Sequence, residues 1–254
     1  MASYTIADKN VPTTTLRELY RNTKRRYRGG DWTELDSIFE VVVSNPDRFP
    51  GFKMQGLQSP ETYIERWVKS YIDAKENLPS CRIASPKSAC TDPAIKVIVQ
   101  ATQGLTDEQS ANGEKIHNLF MSAENIQGNL LEEYIASKVR RYGFLWCAGN
   151  IVRAVDFCNT DGSLLLQIKN KSNTENSSSS SIREGTSIEK WYRLGTRTRN
   201  GEKIPDYKWA DLNSLINQHK TQGHGLPPCN MSEPDYCRFL VAKAQANTRL
   251  ITSR

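Results

Sequence analysis

Apolar residues recur at helical spacing through the first third of the chain. Leu16 opens one such stretch, with Thr13, Thr14 or Thr15 placed to cap it and Glu18 in its first turn. Asp31 is placed to cap a second, which carries Trp32, Leu35, Ile38, Phe39 and Val42. Pro60 suits the first turn of a third, whose stripe is Tyr63, Ile64, Trp67, Val68, Tyr71 and Ile72. Residues 77–95 hold Pro79, Pro86 and Pro93 with two cysteines, which marks a loop or a boundary. The short apolar run 95–99 fits a strand or a helical turn. Thr106, followed by Asp107 and Glu108, looks like a further helix start. Over 123–140 the stripe Ile126, Leu130, Leu131, Tyr134, Ile135 and Val139 predicts a helix, with Gly143 ending the turn after it.

The pattern then changes. Residues 150–157 (NIVRAVDF) and 163–169 (SLLLQIK) are β-rich, and the NTDG sequence at 159–162 between them is hairpin punctuation. Five serines at 177–181 follow. The spacing predicts a helix over 187–194 (SIEKWYRL), with Trp191 in the core, then a basic loop over 197–203. Residues 211–254 read as two helices separated by 223–228. The expected organisation is a mainly helical region, 1–120, and an α/β region, 121–254, as two parts or as one continuous domain.

Composition narrows the function. The 254 residues include 34 Lys+Arg and 28 Asp+Glu, a net charge of +6, with 37% hydrophobic residues. A positive chain suits a polyanion such as nucleic acid. No run approaches the ~18 apolar residues of a membrane span. The sequence MASYTIADKNVPTT has no apolar core of a secretory signal. Six cysteines are too few for a disulfide scaffold, so free thiols in a reducing cytoplasm are expected. There is no G-x-x-x-x-G-K-[ST] loop for a nucleotide cofactor. His219, His224, Cys229 and Cys237 do not follow a standard zinc spacing. The cluster Lys24-Arg25-Arg26-Tyr27-Arg28 is either a solvated helix end or a phosphate clamp.

The hairpin carries the chemistry. Asp156 lies on its first strand, and Gln167-Ile168-Lys169 ends its second. An acid, a short turn and an acid-x-Lys triplet resemble the metal-dependent PD-(D/E)xK nucleases. Period-2 alternation sets Gln167 and Lys169 on one face, beside Asp156. A hard Mg²⁺ takes carboxylate and carbonyl oxygens, here Asp156, the Gln167 amide and the Ile168 carbonyl. A lysine beside it positions or deprotonates water. Gln167 stands where a second carboxylate belongs, so Glu132 or Glu133 on the preceding helix must supply it. Glu132 is preferred because it shares a side with Gly128, whose missing side chain would permit close approach.

The segments GNLLEEYIA (128–136), RAVDF (153–157), QIKNKSNTENSSSS (167–180) and IREGTSIEKWYR (182–193) resemble the SinI-like type II restriction endonucleases. The resemblance implies a PD-(D/E)xK core, with a central mixed sheet flanked by helices. It also implies Mg²⁺ dependence, with Asp156, Gln167 and Lys169 in the active site, and cleavage of a short palindromic DNA duplex of GGWCC or GGNCC type. In that setting Asn170, Lys171, Asn173, Asn176, Ser177, Ser178, Ser179 and Arg183 are expected to enter a groove, with Arg183 first in line for guanine. Lys190, Arg193, Arg197 and Arg199 are expected on phosphates. The plain alternative is a solvated serine-rich loop. Cutting both strands of a palindrome suggests a symmetric homodimer. Two other functions fit the same residues: a DNA-binding module on a degenerate nuclease fold, favoured by Gln167, and a structure-specific repair nuclease.

Overall fold

The computed structural model describes residues 3–27, 32–53, 59–84, 92–171 and 188–252. Helix α1 (Thr13–Arg26) starts three residues ahead of Leu16, after Pro12 and with no side-chain cap, so the three threonines form its first turn. Strands β1 (Ser3–Tyr4) and β2 (Phe52–Lys53) form a small antiparallel pair beside it. Helix α2 (Thr33–Val43) follows; its expected cap, Asp31, lies outside the described residues. Helix α3 (Pro60–Glu76) begins on a reciprocal cap between Ser59 and Thr62, with Pro60 at its first position. The three buried stripes meet around the Trp67 indole. Tyr20, Phe39 and Phe49 stand at ring-centroid distances of 6.0, 5.8 and 5.8 Å from it. Lys24 pairs with Asp36, and Arg26 with Glu61 and Glu65, so two cations of the basic cluster are spent joining helices.

The run 95–99 is helical. It lies in α4 (Pro93–Gln103), which Asp92 caps and Gly104 ends in a left-handed conformation. Helix α5 (Asp107–Val139) is 33 residues long and opens on a reciprocal Thr106–Gln109 cap. Its buried Leu131, Tyr134, Ile135 and Val139 belong to one core with the stripes of α1, α2 and α3. Two hydrogen bonds tie the N-terminal region to the loop that leads to Asp156. The Trp67 indole N–H donates to the Ile151 carbonyl at 2.7 Å, and the Arg153 amide donates to the Arg48 carbonyl at 2.7 Å.

Five strands form a mixed sheet in the order β3 (Phe144–Trp146), β4 (Phe157–Asn159), β5 (Leu165–Lys171), β6 (Ile188–Arg199), β7 (Glu202–Tyr207). Only β5 and β6 run parallel; the other neighbours are antiparallel. The hairpin at 159–162 forms as expected, with Gly162 at φ 71°. Of the run 150–157 only Phe157 is strand. Asn150 and Ala154 take left-handed φ values of 55° and 60°, which no strand accommodates.

The stretch 187–194 is not a helix: Ile188 begins β6, and Ser187 lies outside the described residues. Ile188, Trp191, Tyr192 and Leu194 fit a helical period, but the structure alternates. Trp191 packs on Trp209, and Arg193 is buried on the same face in an ion pair with Glu233. The basic 197–203 segment is a hairpin between β6 and β7, turning at Asn200 and Gly201 with φ 53° and 83°. Helices α6 (Trp209–Gln218) and α7 (Glu233–Ala246) are the two expected near the C-terminus, and Trp209 and Tyr236 pack on Tyr134 of α5. The fold is therefore α/β, a mixed sheet flanked by helices with a helical N-terminal region. No described helix is long and apolar enough to cross a membrane.

Candidate active site

A cleft of about 360 Å³ brings together Glu132, Asp156, Gln167 and Lys169, with Pro50, Gly51 and Arg153 as walls. The strands set Asp156 first. Its amide donates to the Leu166 carbonyl and its carbonyl accepts from the Cys147 amide, both at 2.9 Å, so its backbone is gripped from β5 and from the end of β3. Its Oδ2 accepts the Ile168 amide at 2.7 Å. Two residues earlier, Ala154 holds its left-handed turn at a cost on the order of 1 kcal/mol. The Arg153–Arg48 bond fastens that turn from the N-terminal region.

Helix α5 separates the two glutamates. Glu133 turns inward, where its carboxylate accepts the Ser80 amide at 2.8 Å and the Ser80 hydroxyl at 2.6 Å and meets Lys243 at 3.1 Å. It is thereby committed to joining α5, the short helical turn at Pro79–Cys81 and α7. Glu132 faces the cleft and accepts the Trp146 indole N–H at 3.1 Å. Gly128 does not explain this placement, since a Cβ there would meet open space; helical phase alone aims Glu132. Burial, and then the charge of Asp156, push the Glu132 carboxyl up from 4.5 to about 7, while Trp146 and the charges of Lys169 and Arg82 pull it back.

Gln167 and Lys169 share a sheet face, and the parallel register sets Lys190 beside Gln167 and Tyr192 beside Lys169. Gln167 is 5% exposed, and its Oε1 has no hydrogen-bond partner among the described residues. A buried acceptor left unpaired costs about 1–3 kcal/mol, so this oxygen is suited to receive a ligand. Among the described residues no group of three or more His, Cys, Asp or Glu is placed to hold a metal. A cation in this cleft would rest on two carboxylates, an amide oxygen and a main-chain carbonyl, a hard oxygen set.

The expected DNA contacts divide. Asn170 donates to Gln127 and accepts from Arg193, both inside the fold. Arg193 is 4% exposed, and Glu233 ties it to the Trp209 indole. Both residues are thus held in an internal network, which removes Arg193 from the cations open to phosphate. Lys171, Arg197 and Arg199 are exposed, and Lys190 is half-buried. Asn173, Asn176, Ser177, Ser178, Ser179 and Arg183 lie outside the described residues. Sequence reasoning missed Trp146 and the walls Pro50, Gly51 and Arg153. The Arg153–Arg48 contact, which has no local signal, helps bring the walls together.

The raised Glu132 carboxyl has a stability consequence. The folded chain holds this proton more tightly than the unfolded one, so the group's contribution is most favourable below pH 4.5 and is lost as pH rises to about 7. The loss amounts to about 3 kcal/mol. Glu132→Gln is expected to remove it. Without metal, the variant's melting temperature should exceed the parent's at pH 8 and match it near pH 4. Equal melting temperatures at pH 8 would refute the buried, charge-opposed setting of Glu132.

Comparison with known proteins bears on the same residues. The family model for the SinI restriction endonuclease matches residues 61–227, a span that contains Glu132, Asp156, Gln167 and Lys169. The type II restriction enzyme Eco47I of Escherichia coli is 36% identical over 186 residues, covering 68% of this chain and 79% of that protein. The type II restriction enzyme SinI of Salmonella infantis is 32% identical over 190 residues, with the same two coverages, 68% and 79%.

Proposed function

Because the chain belongs to the SinI restriction endonuclease family, we propose that it is a type II endonuclease that hydrolyses both strands of duplex DNA with Mg²⁺. The target would be a short palindrome of GGWCC or GGNCC type. The observation that carries the reading is the unpartnered Gln167 Oε1, buried in the cleft that Glu132, Asp156 and Lys169 share. Glu132, Asp156, Gln167 and the Ile168 carbonyl would hold the ion. Bound there, a divalent ion supplies charge neutralisation at the phosphate and a lower pKa for water.

The chain's own groups do the rest. Asp156 is oriented by the Ile168 amide, which donates to its Oδ2. Lys169, on the Gln167 face, positions or deprotonates the attacking water. The 3′ oxygen departs and the product carries a 5′-phosphate. Arg197 and Arg199 extend along the part of β6 that pairs with β7 beyond the end of β5, where a hairpin can follow a duplex. Lys171, Lys190 and the expected base-edge residues Asn173, Asn176, Ser177, Ser178, Ser179 and Arg183 would complete the contacts beside the scissile phosphate. Two copies would address the two strands.

Plasmids containing GGWCC and GGNCC sites, incubated with protein and Mg²⁺, should give discrete fragments. EDTA and Asp156→Ala should each abolish them. Duplex binding with no cleavage across varied metals would instead identify a binding module on a degenerate nuclease fold. Cleavage that follows branches or ends would identify a repair nuclease.

A further inference from the structure

A second cavity opens beside the cleft of Asp156 and Gln167. It measures about 220 Å³ and shares Glu132, Ile168 and Lys169 with that cleft, so the two adjoin. Its own walls are α5, at Asn125, Gly128 and Asn129, and β5, at Asn170. On α5 these three residues and Glu132 fall at i, i+3, i+4 and i+7, which is one stripe of the helix. The stripe is polar and runs back from Glu132 for about 10 Å toward the start of α5. The facing wall is fixed: Asn170 donates to Gln127 and accepts from Arg193.

Gly128 lies in the middle of this stripe, and the fold itself does not call for a glycine there. It stands inside α5, where glycine is a worse helix former than any residue but proline. Its φ is not left-handed, so the backbone does not require it. A Cβ would meet no described atom within 4 Å, so internal packing does not require it either. What a bare helix surface does serve is the close approach of a ligand from outside. Gly113 gives the contrast. It too stands inside α5 with nothing near its Cβ position, but about four turns earlier, where the helix is exposed and the cleft is out of reach.

We infer that the groove between α5 and the end of β5 is the track of one DNA strand, whose sugar–phosphate backbone beside the scissile phosphate packs on Gly128. This rests on the proposed nuclease reading and deepens it. The length agrees, since about 10 Å of stripe matches roughly three nucleotides at about 3.4 Å each. The chemistry agrees as well. Asn125 and Asn129 bring amide donors, and Lys169 brings a cation, the groups that phosphates and sugars accept. Glu124, at the far end of the stripe from Glu132, stands 3.8 Å from Lys171, which offsets its charge. A strand lying flush on Gly128 reaches Glu132 and Lys169 together, because both belong to the groove and to the cleft.

Three variants of the full chain test the track: Gly128→Ala, Gly128→Leu and Gly113→Ala. Each puts a better helix former in place of glycine, so each should raise the melting temperature, by roughly 2–4 °C. Gly113→Ala should bind and cut DNA as the parent does. Gly128→Leu should lower the single-turnover cleavage rate by roughly 10²-fold, the effect of misplacing a substrate by about an ångström, and Gly128→Ala should lower it by less. Affinity for a labelled duplex carrying GGACC, measured by fluorescence anisotropy in EDTA, should fall in the same order. Loss of structure cannot produce that pattern, because the weaker binders are the more stable proteins. A folded Gly128→Leu that binds and cuts as the parent does overturns the inference and leaves the nuclease reading standing. If Gly128→Leu does not fold, unchanged affinity and rate in Gly128→Ala overturn it. An equal loss in Gly113→Ala overturns it too. A parent that binds duplex without cutting removes the nuclease reading, and the order of affinities still decides the track. A parent that does neither overturns both.

Discussion

Lys169→Ala is expected to lower the single-turnover rate of DNA cleavage by about 10³-fold while duplex binding persists, within the ~10²–10⁴ range of a positioned proton-transfer group. Lys169 sits on β5, where its backbone is in register with Tyr192 and its side chain lines the cleft with Gln167. The strand's hydrogen bonds run through the backbone, so they survive the substitution. What would be lost, on the proposed mechanism, is the amine that positions the attacking water. Lys169→Arg should recover little, because the guanidinium is planar, bulkier and fixed in its protonated state. Quench-flow or gel kinetics, with binding measured without metal, separate the two effects. Cleavage by the alanine variant within threefold of the parent would remove Lys169 from the chemistry and leave the carboxylates as the only candidates.

The largest stability effect is expected at Trp67, which touches no substrate. Its side chain is fully buried among Tyr20, Phe39 and Phe49. Trp67→Ala should cost about 3–5 kcal/mol through the cavity it leaves. The Ile151 carbonyl, which accepts the indole N–H at 2.7 Å, would also lose its donor. That stranded acceptor adds about 1–3 kcal/mol. The sum approaches the whole stability of an ordinary domain, about 5–15 kcal/mol. Urea denaturation followed by circular dichroism measures it. Trp67→Phe keeps most of the packing and loses the hydrogen bond, so it should fall between the two. It should also slow cleavage in the folded protein, because Ile151 lies in the loop that leads to Asp156. A loss under 2 kcal/mol in the alanine variant would show that the N-terminal helices do not depend on this indole.

The residues that the sequence made legible are those whose role is local. The stripes of α2 and α3, the 159–162 turn and the Asp156–Lys169 hairpin each announce themselves within a few positions. The family resemblance was likewise visible in contiguous segments. Strand β6 was not, because Arg193 breaks the alternation: a buried arginine looks like a solvent position until Glu233, forty residues on, neutralises it. The separation of Glu132 from Glu133 was half legible. Helical phase put both beside the stripe, but only Ser80 and Lys243 show why Glu133 is held inside.

The contact between Trp146 and Glu132 sets a rule for the cleft. An indole has one N–H and no acceptor, so it favours a carboxylate oxygen that carries no proton. When Glu132 is neutral, its proton is therefore directed to the oxygen that Trp146 leaves alone. That is the same oxygen that a cation would need. On the proposed reading, a proton and a metal ion would compete for that one atom.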